Sequence, residues 1–283
     1  MTMATFPLST SSSSLINSYT SSPFSSVVSP SHFFPPFSSH SRRFSRLFVS
    51  STGISDVPQQ RFIVDKSSLV LYEAVSENEL WAAANLRIRT FNEFKEDSFG
   101  VEDHKRHLVE REFEALKERV AGKREGFKKV SCINASLPLS HISALSRDLS
   151  TTCKFSDDDG FKVVVGSLDL NQCLRLPDEM TGMRPQGIGA DFARAYLSNV
   201  CVAKELHRNG LGYALVSKAK SVAEKWGITD LYVHVAADNE SAKQLYLKSG
   251  FIHESDEPAW QARFLNRPRR LILWFGLPNP YDL

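Results

Sequence analysis

The segment from His207 to Gly212 contains the residues whose types and spacing best fit ligand-binding chemistry. It follows an apolar run and precedes residues with helical periodicity. Gly210 and Gly212 are two positions apart, so no Cβ atom blocks a ligand's approach to the backbone at either position. The free N–H groups of a helix's first turn and the positive end of the helix dipole favour an anion. The segment therefore predicts a phosphate or pyrophosphate site, with Arg208 and Lys204 at its rim.

The residues on either side of this turn predict a strand and a helix. The run 195–202 is mostly apolar, as expected of a buried strand. After the turn, apolar residues recur every three or four positions, which predicts a helix with one face on a sheet, and Gly227 can adopt the left-handed conformation that ends it. The apolar residues are Leu211, Leu215, Ala219, Val222 and Trp226.

The turn taken alone leaves a binding role and a purely structural role open. Many tight strand-to-helix turns contain Gly-x-Gly and bind nothing. The Rossmann form needs a third glycine at the next turn, and the P-loop form needs Lys-Ser/Thr after the glycines. Both features are missing from the sequence, which argues against these two nucleotide-binding forms.

A second block supplies the context that the turn lacks. Residues Asn239 to Phe251 read Asn-Glu-Ser-Ala-Lys-Gln-Leu-Tyr-Leu-Lys-Ser-Gly-Phe. The two blocks together resemble the GNAT N-acetyltransferases, whose patterns are Gln/Arg-x-x-Gly-x-Gly/Ala after a strand and Asn-x-x-Ala-x-x-Leu-Tyr-x-x-x-Gly-Phe. They occur in the family's order and separation. His207 stands where the family usually has Gln or Arg, a departure of little consequence if backbone amides bind the pyrophosphate.

This resemblance implies an α/β GNAT fold. Its sheet is mixed, mostly antiparallel and seven-stranded, with one splayed pair of strands and about four helices on its faces. Acetyl-CoA is the implied co-substrate, and no metal is implied. In the family, freed backbone groups at the splay hold pantetheine and polarise the thioester carbonyl, and the loop amides contact the pyrophosphate. The residues assigned to acetyl-CoA are Val200, Cys201, Val202, His207, Arg208, Asn209, Gly210, Leu211, Gly212, Tyr213, Asn239 and Tyr246.

Acetyl transfer from a thioester to an amine needs an acid for the leaving thiolate and a path for the amine's proton. Tyr246 matches the family's usual general acid; packing in the core is the alternative role for this residue. Several members carry Glu as the base, whereas this sequence offers Tyr196 and His234. His234 alternates with Val233 and Val235 on a predicted strand, so it is either a proton acceptor or a structural histidine. If it is inert, an ordered water would serve.

The four cysteines predict no metal site. They show no Cys-x-x-Cys spacing and no histidine at ligand spacing, so no zinc is implied. One of them, Cys201, falls in the implied thioester groove, where an acetyl-cysteine intermediate is conceivable, but direct transfer is the family's habit. The four are Cys132, Cys153, Cys173 and Cys201.

Residues 1–55 differ in composition from the rest of the chain. They are rich in Ser and contain Arg42, Arg43 and Arg46 but no acidic residue. No continuous apolar run fits a secretory signal, so we expect a transit peptide for the plastid stroma, with an uncleaved disordered tail as the alternative. The first 55 residues hold three of the 34 basic residues and none of the 32 acidic ones, so the remainder is close to neutral. This charge gives no reason to expect a nucleic-acid or membrane partner.

The remaining chain predicts a linker over residues 56–68 and one domain over 69–283. Ser76 to Glu79 is a capping box that opens a first helix. Strands are predicted at 67–75, 130–137, 161–170, 195–202 and 231–235, then from Phe251 and over 269–277. The predicted inward faces of the first two helices are Leu80, Ala84, Ile88 and Phe91, then Val109, Phe113, Leu116 and Val120.

Four connections are predicted between these elements. The acidic link with Glu93, Glu96 and Asp97 either attracts a cationic amine or is a solvated loop. Ser140–Gly160 is predicted to be a mobile hairpin insertion. Leu174–Phe192 is either a lid over the substrate groove or an ordinary surface loop. Residues 258–264 resemble an extended connection of plastid members of the superfamily.

These features predict a plastid N-acetyltransferase that uses acetyl-CoA. By resemblance to plastid members, its acceptors are protein or peptide amines, either N-terminal α-amines, lysine ε-amines, or both. Two alternatives stay open: an N-acetyltransferase for small arylalkylamines such as serotonin, and a catalytically silent CoA-binding module. The oligomeric state cannot be read from the sequence.

Overall fold

The computed structural model describes residues 62–95, 98–124, 126–173 and 193–278. Residues 1–61, Glu96, Asp97 and the predicted lid over 174–192 lie outside them. One sheet with the order β1-β2-β4-β5-β6-β8-β7 forms the centre, and β3 pairs with β4 off this path. The strands are β1 (Val70–Glu73), β2 (Phe127–Pro138), β3 (Lys154–Asp157), β4 (Gly160–Cys173), β5 (Arg194–Val202), β6 (Asp230–Ala236), β7 (Ile252–Asp256) and β8 (Arg270–Gly276).

The predicted GNAT fold is confirmed. The seven strands of the path match the seven predicted ones, and all their pairings are antiparallel except that of β5 with β6. Within the described residues, four helices are nine or more residues long and three are short. The helices are α1 (Glu77–Phe91), α2 (Val101–Val120), α3 (Leu139–Ile142), α4 (Arg147–Thr152), α5 (Leu211–Lys225), α6 (Glu240–Lys248) and α7 (Ala259–Phe264).

Helix α1 begins as predicted but buries a different face. Ser76 accepts from the Glu79 N–H, and the Glu79 carboxylate accepts from the Ser76 N–H, so the capping box is confirmed. The prediction for Phe91 is wrong, since its side chain is 54% exposed. The buried stripe instead includes Leu86 and Arg87, because the face that meets the sheet is centred about one residue before the predicted one.

The predicted hairpin insertion at Ser140–Gly160 is wrong in most of its length. The segment contains most of α3, then α4, and only its last part, β3, forms a hairpin with β4. Ser146 accepts a hydrogen bond from the Leu149 N–H and so opens α4. Leu149 and Cys153 are buried in the main core, which ties the segment to the domain.

The connection between β7 and β8 is also different from its prediction. Residues 258–264 were expected to be extended, but α7 occupies this stretch, with Pro258 as its N-cap. Ala262 is buried, whereas Trp260 and Phe264 on the same helix are exposed. A proline before the first helical turn is compatible with a helix because the N–H that it lacks has no partner there.

Residues before the predicted domain start are packed on it. Val64 belongs to the main core, with Phe62 against it, although 56–68 was expected to be a linker. The described part of the chain therefore forms a packed unit from its first described residue onward. Among the described helices, none is both long and apolar enough to cross a membrane.

Candidate active site

The candidate site is a gap that opens between β5 and β6. The pairing of the two strands begins where Arg194 lies opposite Asp230 and ends where Leu197 lies opposite Val233. Residues 198–202 stay on β4, whereas 234–236 stay on β8. The structure thus confirms the splayed pair that the family resemblance predicted. Strand edges that have lost their neighbour offer backbone N–H and C=O groups to another partner.

A bulge marks the place where β5 leaves β6. Asn199 and Val200 lie opposite the single residue Leu168 of β4, and Asn199 has a φ of 54°. Beyond the bulge, Ala203 donates its N–H to the Val165 carbonyl at 2.9 Å. In an antiparallel pair, the backbone N–H and C=O groups of successive residues point alternately toward and away from the partner strand. Those of Ala203 point toward β4, so those of Val202 point away from β4 and into the gap.

The loop after β5 presents a series of backbone donors. For the six N–H groups of residues 208–213, no described residue supplies an acceptor. The next N–H, that of Ala214, donates to the Gly210 carbonyl at 3.0 Å and begins the hydrogen-bond ladder of α5. Six donors at the positive end of a 15-residue helix can hold an anion with several oxygens. This geometry suits the predicted pyrophosphate site.

The two glycines of the loop meet different structural needs. Gly210 is the N-cap of α5 and has a φ of 81°, a conformation that a residue with a Cβ atom rarely adopts. Gly212 lies where α5 meets α6, and a Cβ there would be 3.1 Å from Cδ2 of Leu245. The first glycine therefore shapes the turn, and the second permits close packing of the two helices.

Asn209, predicted to contact the cofactor, uses its side chain to hold the chain's N-terminal segment. Its Oδ1 accepts from the Val64 N–H at 3.0 Å, and its Nδ2 donates to the Phe62 and Leu206 carbonyls at 3.1 and 3.2 Å. Only its backbone N–H remains for a ligand. His207 is similarly engaged, since its Nε2 lies 3.0 Å from the Val202 carbonyl.

Two residues of the second block lie at the N-cap and in the last turn of α6. Asn239 caps α6, with Oδ1 accepting from the Ala242 N–H at 3.0 Å, and its Nδ2 has no partner among the described residues. Tyr246 is 5% exposed and packs edge-on against Phe251. Burial raises the pKa of Tyr246, and Tyr196 adds to the shift, so its hydroxyl stays protonated at neutral pH and can donate a proton.

Tyr196 and His234, the two candidate proton acceptors, lie together at the gap. The Tyr196 hydroxyl is 3.1 Å from Nδ1 of His234, and the rings meet edge-on. Tyr196 is on β5 opposite Tyr232 of β6, so His234 is two residues further along, just past the last paired residues. The pair thus bridges the gap where it begins to open.

The surroundings of His234 keep its imidazole neutral. Burial lowers its pKa from the usual 6.5 to about 3, and the positive charge of Arg270 adds to the shift. Glu257 opposes it, but that carboxylate already accepts hydrogen bonds from Arg267 and from the Arg270 N–H. A neutral Nδ1 can accept the Tyr196 hydroxyl hydrogen, whereas a full proton on the ring is strongly disfavoured.

Comparisons with known proteins agree with this geometry. A model of the acetyltransferase (GNAT) family matches residues 150–251. GCN5-related N-acetyltransferase 7, chloroplastic, of Arabidopsis thaliana is 66% identical over 216 residues, which are 76% of this chain and 79% of that protein. The chain belongs to the GNAT family. It is an acetyl-CoA-dependent N-acetyltransferase of the plastid.

Two further N-acetyltransferases are similar to the chain. GCN5-related N-acetyltransferase 6, chloroplastic, of Arabidopsis thaliana is 31% identical over 190 residues, or 64% of this chain and 61% of that protein. The PaiA N-acetyltransferase of Thermoplasma acidophilum, solved in complex with coenzyme A, has a TM-score of 0.44 and 13% identity over 74% of this chain and 99% of that one.

The cysteine at the GNAT splay is poorly suited to covalent catalysis. Burial raises the pKa of the Cys201 thiol to about 12, and its side chain is 4% exposed. A thiol that stays protonated is a weak nucleophile, which favours direct transfer over an acetyl-cysteine intermediate. In the part of the chain that the structure describes, no three His, Cys, Asp or Glu residues are grouped as metal ligands.

Three residues near the GNAT splay were not identified from the sequence. Arg87 of α1 and Asp169 of β4 form a buried ion pair, and Asp169 also contacts Asn199 of the bulge. For Arg87, the available signal was a charged residue on the helix face whose other residues are apolar. A buried arginine needs a partner, so such a position indicates an ion pair. No local pattern indicates the bond between Asp169 and Asn199.

We expect Asn209→Ala to release the N-terminal segment from the loop. The change removes the hydrogen bonds to Phe62 and Val64, so the free energy of unfolding should fall by about 1–2 kcal/mol. Trypsin should also cleave after Lys66 faster than in the wild type. Asn85→Ala is the control, because among the described residues the Asn85 amide bonds only to the Trp81 carbonyl of its own helix. Equal cleavage rates in wild type and Asn209→Ala would contradict this role.

We expect His234→Asn to make the protein less sensitive to acid. Between pH 6.5 and about 3, the imidazole binds a proton in the unfolded chain but not in the folded one, so it lowers the free energy of unfolding as the pH falls. From about pH 7 to about pH 5, the wild type should lose about 1–2 kcal/mol that the variant keeps. Urea denaturation at both pH values measures this.

The control for this measurement is His107→Asn, which removes one exposed imidazole from α2. It should leave the pH dependence of the wild type in place. An identical pH dependence in the wild type and His234→Asn would show that His234 is not held neutral by its surroundings.

Proposed function

We propose that this GNAT enzyme transfers the acetyl group of acetyl-CoA to protein amines, either N-terminal α-amines, lysine ε-amines, or both. One observation carries the proposal: the gap between β5 and β6 has anion donors at one side and a proton donor and acceptor beside it. When bound, acetyl-CoA supplies the acetyl group as a thioester. The chain must orient this group, stabilise charge and move protons.

The backbone donors are assigned to the two polar parts of acetyl-CoA. The N–H groups of residues 208–213 would hold the pyrophosphate, and Arg208 and Lys204 are exposed beside them. Backbone groups of Val200 and Val202 would hold pantetheine and donate to the thioester carbonyl as negative charge develops on its oxygen, whereas those of Cys201 point toward β4. The free Nδ2 of Asn239 would add a hydrogen bond to the pantetheine arm.

Tyr246 is assigned as the general acid. Its hydroxyl has no hydrogen-bond partner among the described residues, and its raised pKa keeps the proton in place before the reaction. A free thiol has a pKa of about 8.5, so its thiolate is a weaker base than a tyrosinate. The hydroxyl would therefore stabilise the charge that develops on sulfur through a hydrogen bond, pass its proton to sulfur as the carbon–sulfur bond breaks, and be reprotonated from water.

The hydrogen-bonded pair of Tyr196 and His234 is assigned to the acceptor amine. The low pKa of His234 makes the imidazole a weak base, so it is better suited to orient a hydroxyl than to store a proton. With its hydrogen directed to Nδ1 of His234, the Tyr196 oxygen is a hydrogen-bond acceptor that an amine or a water could approach. The pair would thus orient the amine through the Tyr196 oxygen, and the amine's proton would pass to water.

A protein acceptor is supported by the described surface near the gap. Arg270 pairs with Ala236, so the connection that contains α7 lies at the same end of the sheet as the opening between β5 and β6. Trp260 and Phe264 on α7 are 67% and 83% exposed. Exposed aromatic side chains at an open rim suit a peptide, whereas an arylalkylamine would call for an enclosed pocket.

The acceptor is tested by incubating the protein with acetyl-CoA and a peptide pool. Some peptides carry a free α-amine and others only a free lysine amine. The full chain and the chain beginning at Asp56 are compared by tandem mass spectrometry. Labelling of either or both amine types supports the proposal. No labelling above the enzyme-free control contradicts it; turnover of serotonin would then identify a small-amine enzyme, and CoA binding without any turnover would identify a silent module.

Tyr246→Phe should lower kcat by about 10²- to 10³-fold, because the leaving sulfur loses its proton donor. The KM for acetyl-CoA should change little. Tyr72→Phe is the control, since it also removes a hydroxyl from a largely buried tyrosine on β1, far along the sheet order from α6. Full activity in a double variant with Tyr246→Phe and His234→Ala would contradict both assigned roles.

A further inference from the structure

The bulge in β5 depends on an unusual backbone conformation. Asn199 has a φ of 54°, and asparagine is one of the few residues other than glycine that adopts this region when a local hydrogen bond supports it. In this chain the supporting bond is not local. The side-chain Nδ2 of Asn199 donates to Oδ2 of Asp169, at 2.8 Å, on the neighbouring strand β4.

Asp169 is itself held in one orientation. It is fully buried, and Nη2 of Arg87 donates to its Oδ1 at 2.6 Å. Nη1 of Arg87 donates to its Oδ2 at 3.1 Å, which makes the contact two-pronged. Arg119 of α2 adds a contact to the same oxygen at 3.3 Å. The carboxylate therefore cannot rotate without breaking several charged hydrogen bonds.

Arg87 connects this carboxylate to the helices that cover the sheet. It lies on α1 and also donates to Glu112 of α2 at 2.9 Å and to Ser167 of β4 at 3.0 Å. Burial acts to lower the pKa of Arg87, but Asp169 and Glu112 raise it, so the guanidinium keeps its charge. The cluster is thus a fixed frame that joins α1, α2 and β4.

The bulge decides where the next residues of β5 point. Two residues of β5 occupy the space opposite Leu168, so the residues after them are shifted by one position relative to β4. Without the bulge, the backbone groups of Val202 would face β4 instead of the gap. A bond to Asn199 therefore controls the direction of donors that lie three residues away.

We propose that Asp169 and Arg87 are positioning residues for acetyl transfer: through Asn199 they fix the bulge that turns the β5 backbone toward the thioester. This inference rests on the proposed function, because it assumes that acetyl-CoA binds in the gap. Neither side chain touches acetyl-CoA in this scheme. A purely structural ion pair would stabilise the fold without affecting acetyl-CoA, and that difference can be measured.

The main test is Asn199→Gly in the full chain. Glycine adopts the required φ without strain, so the strand can still fold, but the 2.8 Å bond to Asp169 is lost. We expect kcat/KM for acetyl-CoA to fall about tenfold and the Kd of CoA, measured by calorimetry, to rise by a similar factor. Asn266→Gly is the matched control, because Asn266 also has a positive φ, 46°, but lies between α7 and β8. It should leave both constants unchanged.

A second test exchanges the two partners. Asp169→Asn and Asn199→Asp should each weaken CoA binding, the first by removing the carboxylate that orients Asn199 and the second by placing two carboxylates together. Combining them restores an amide opposite a carboxylate, with the carboxylate now on β5. Recovery of CoA affinity in the double variant, relative to both single variants, supports positioning.

The outcomes separate this inference from the proposed function. A wild type that binds CoA but transfers no acetyl group contradicts the proposed function, and CoA affinity then still tests the bulge. If Asn199→Gly lowers the midpoint of thermal unfolding and leaves the Kd of CoA unchanged, the cluster is structural only and the inference is overturned. If Asp169→Asn does not fold, the result for Asn199→Gly decides alone.

Discussion

The separation of β5 from β6 is the constraint on which the rest of the site depends. Each strand keeps its other neighbour over the whole relevant length: β5 pairs with β4 as far as Val202, and β6 pairs with β8 from Asp230 to Ala236. The gap is therefore supported from both sides. Backbone groups along it cannot find partners in the sheet, and unpaired polar groups are unfavourable when buried. A ligand with polar groups along an extended chain satisfies them.

Burial beside this gap shifts the pKa values of Tyr246 and His234 in opposite directions, and both side chains are neutral. It raises the pKa of Tyr246 and lowers that of His234, so both side chains are neutral at the pH of the plastid stroma. A neutral tyrosine donates a proton, and a neutral imidazole accepts a hydrogen bond. Burial is the largest cause of both shifts, and the site has a donor and an acceptor without the Glu that several members of the family carry.

The sequence was most informative where contacts are local. The glycine turn, the capping box at Ser76 and the α6 block depend on residues within a few positions of one another, and the structure has the predicted elements there. The bonds from Arg87 to Asp169 and from Asn209 to Val64 join residues 82 and 145 positions apart. No spacing rule reaches across such distances.

The predictions for the segments that form α7 and α4 were wrong for a different reason. Local helix signals were present there, but the segments that carry them are short. Helix α7 is six residues long, and helix formers such as Ala259 and Gln261 follow its proline N-cap. Helix α4 is equally short and begins at the capping residue Ser146. Windows of this length contain fewer than two helical turns, so their periodicity cannot be distinguished from that of a loop.

The departure from the family pattern at position 207 has a structural explanation. Nε2 of His207 lies 3.0 Å from the Val202 carbonyl, so the imidazole satisfies an acceptor at the end of β5 that faces the gap. A side chain that is engaged with its own strand contributes less to an anion in the loop. A bound anion would then depend on the backbone donors of residues 208–213, whose directions are set by the left-handed conformations of Arg208 (φ 66°) and Gly210 (φ 81°). A substitution at position 207 should therefore affect anion binding less than a substitution of Gly210.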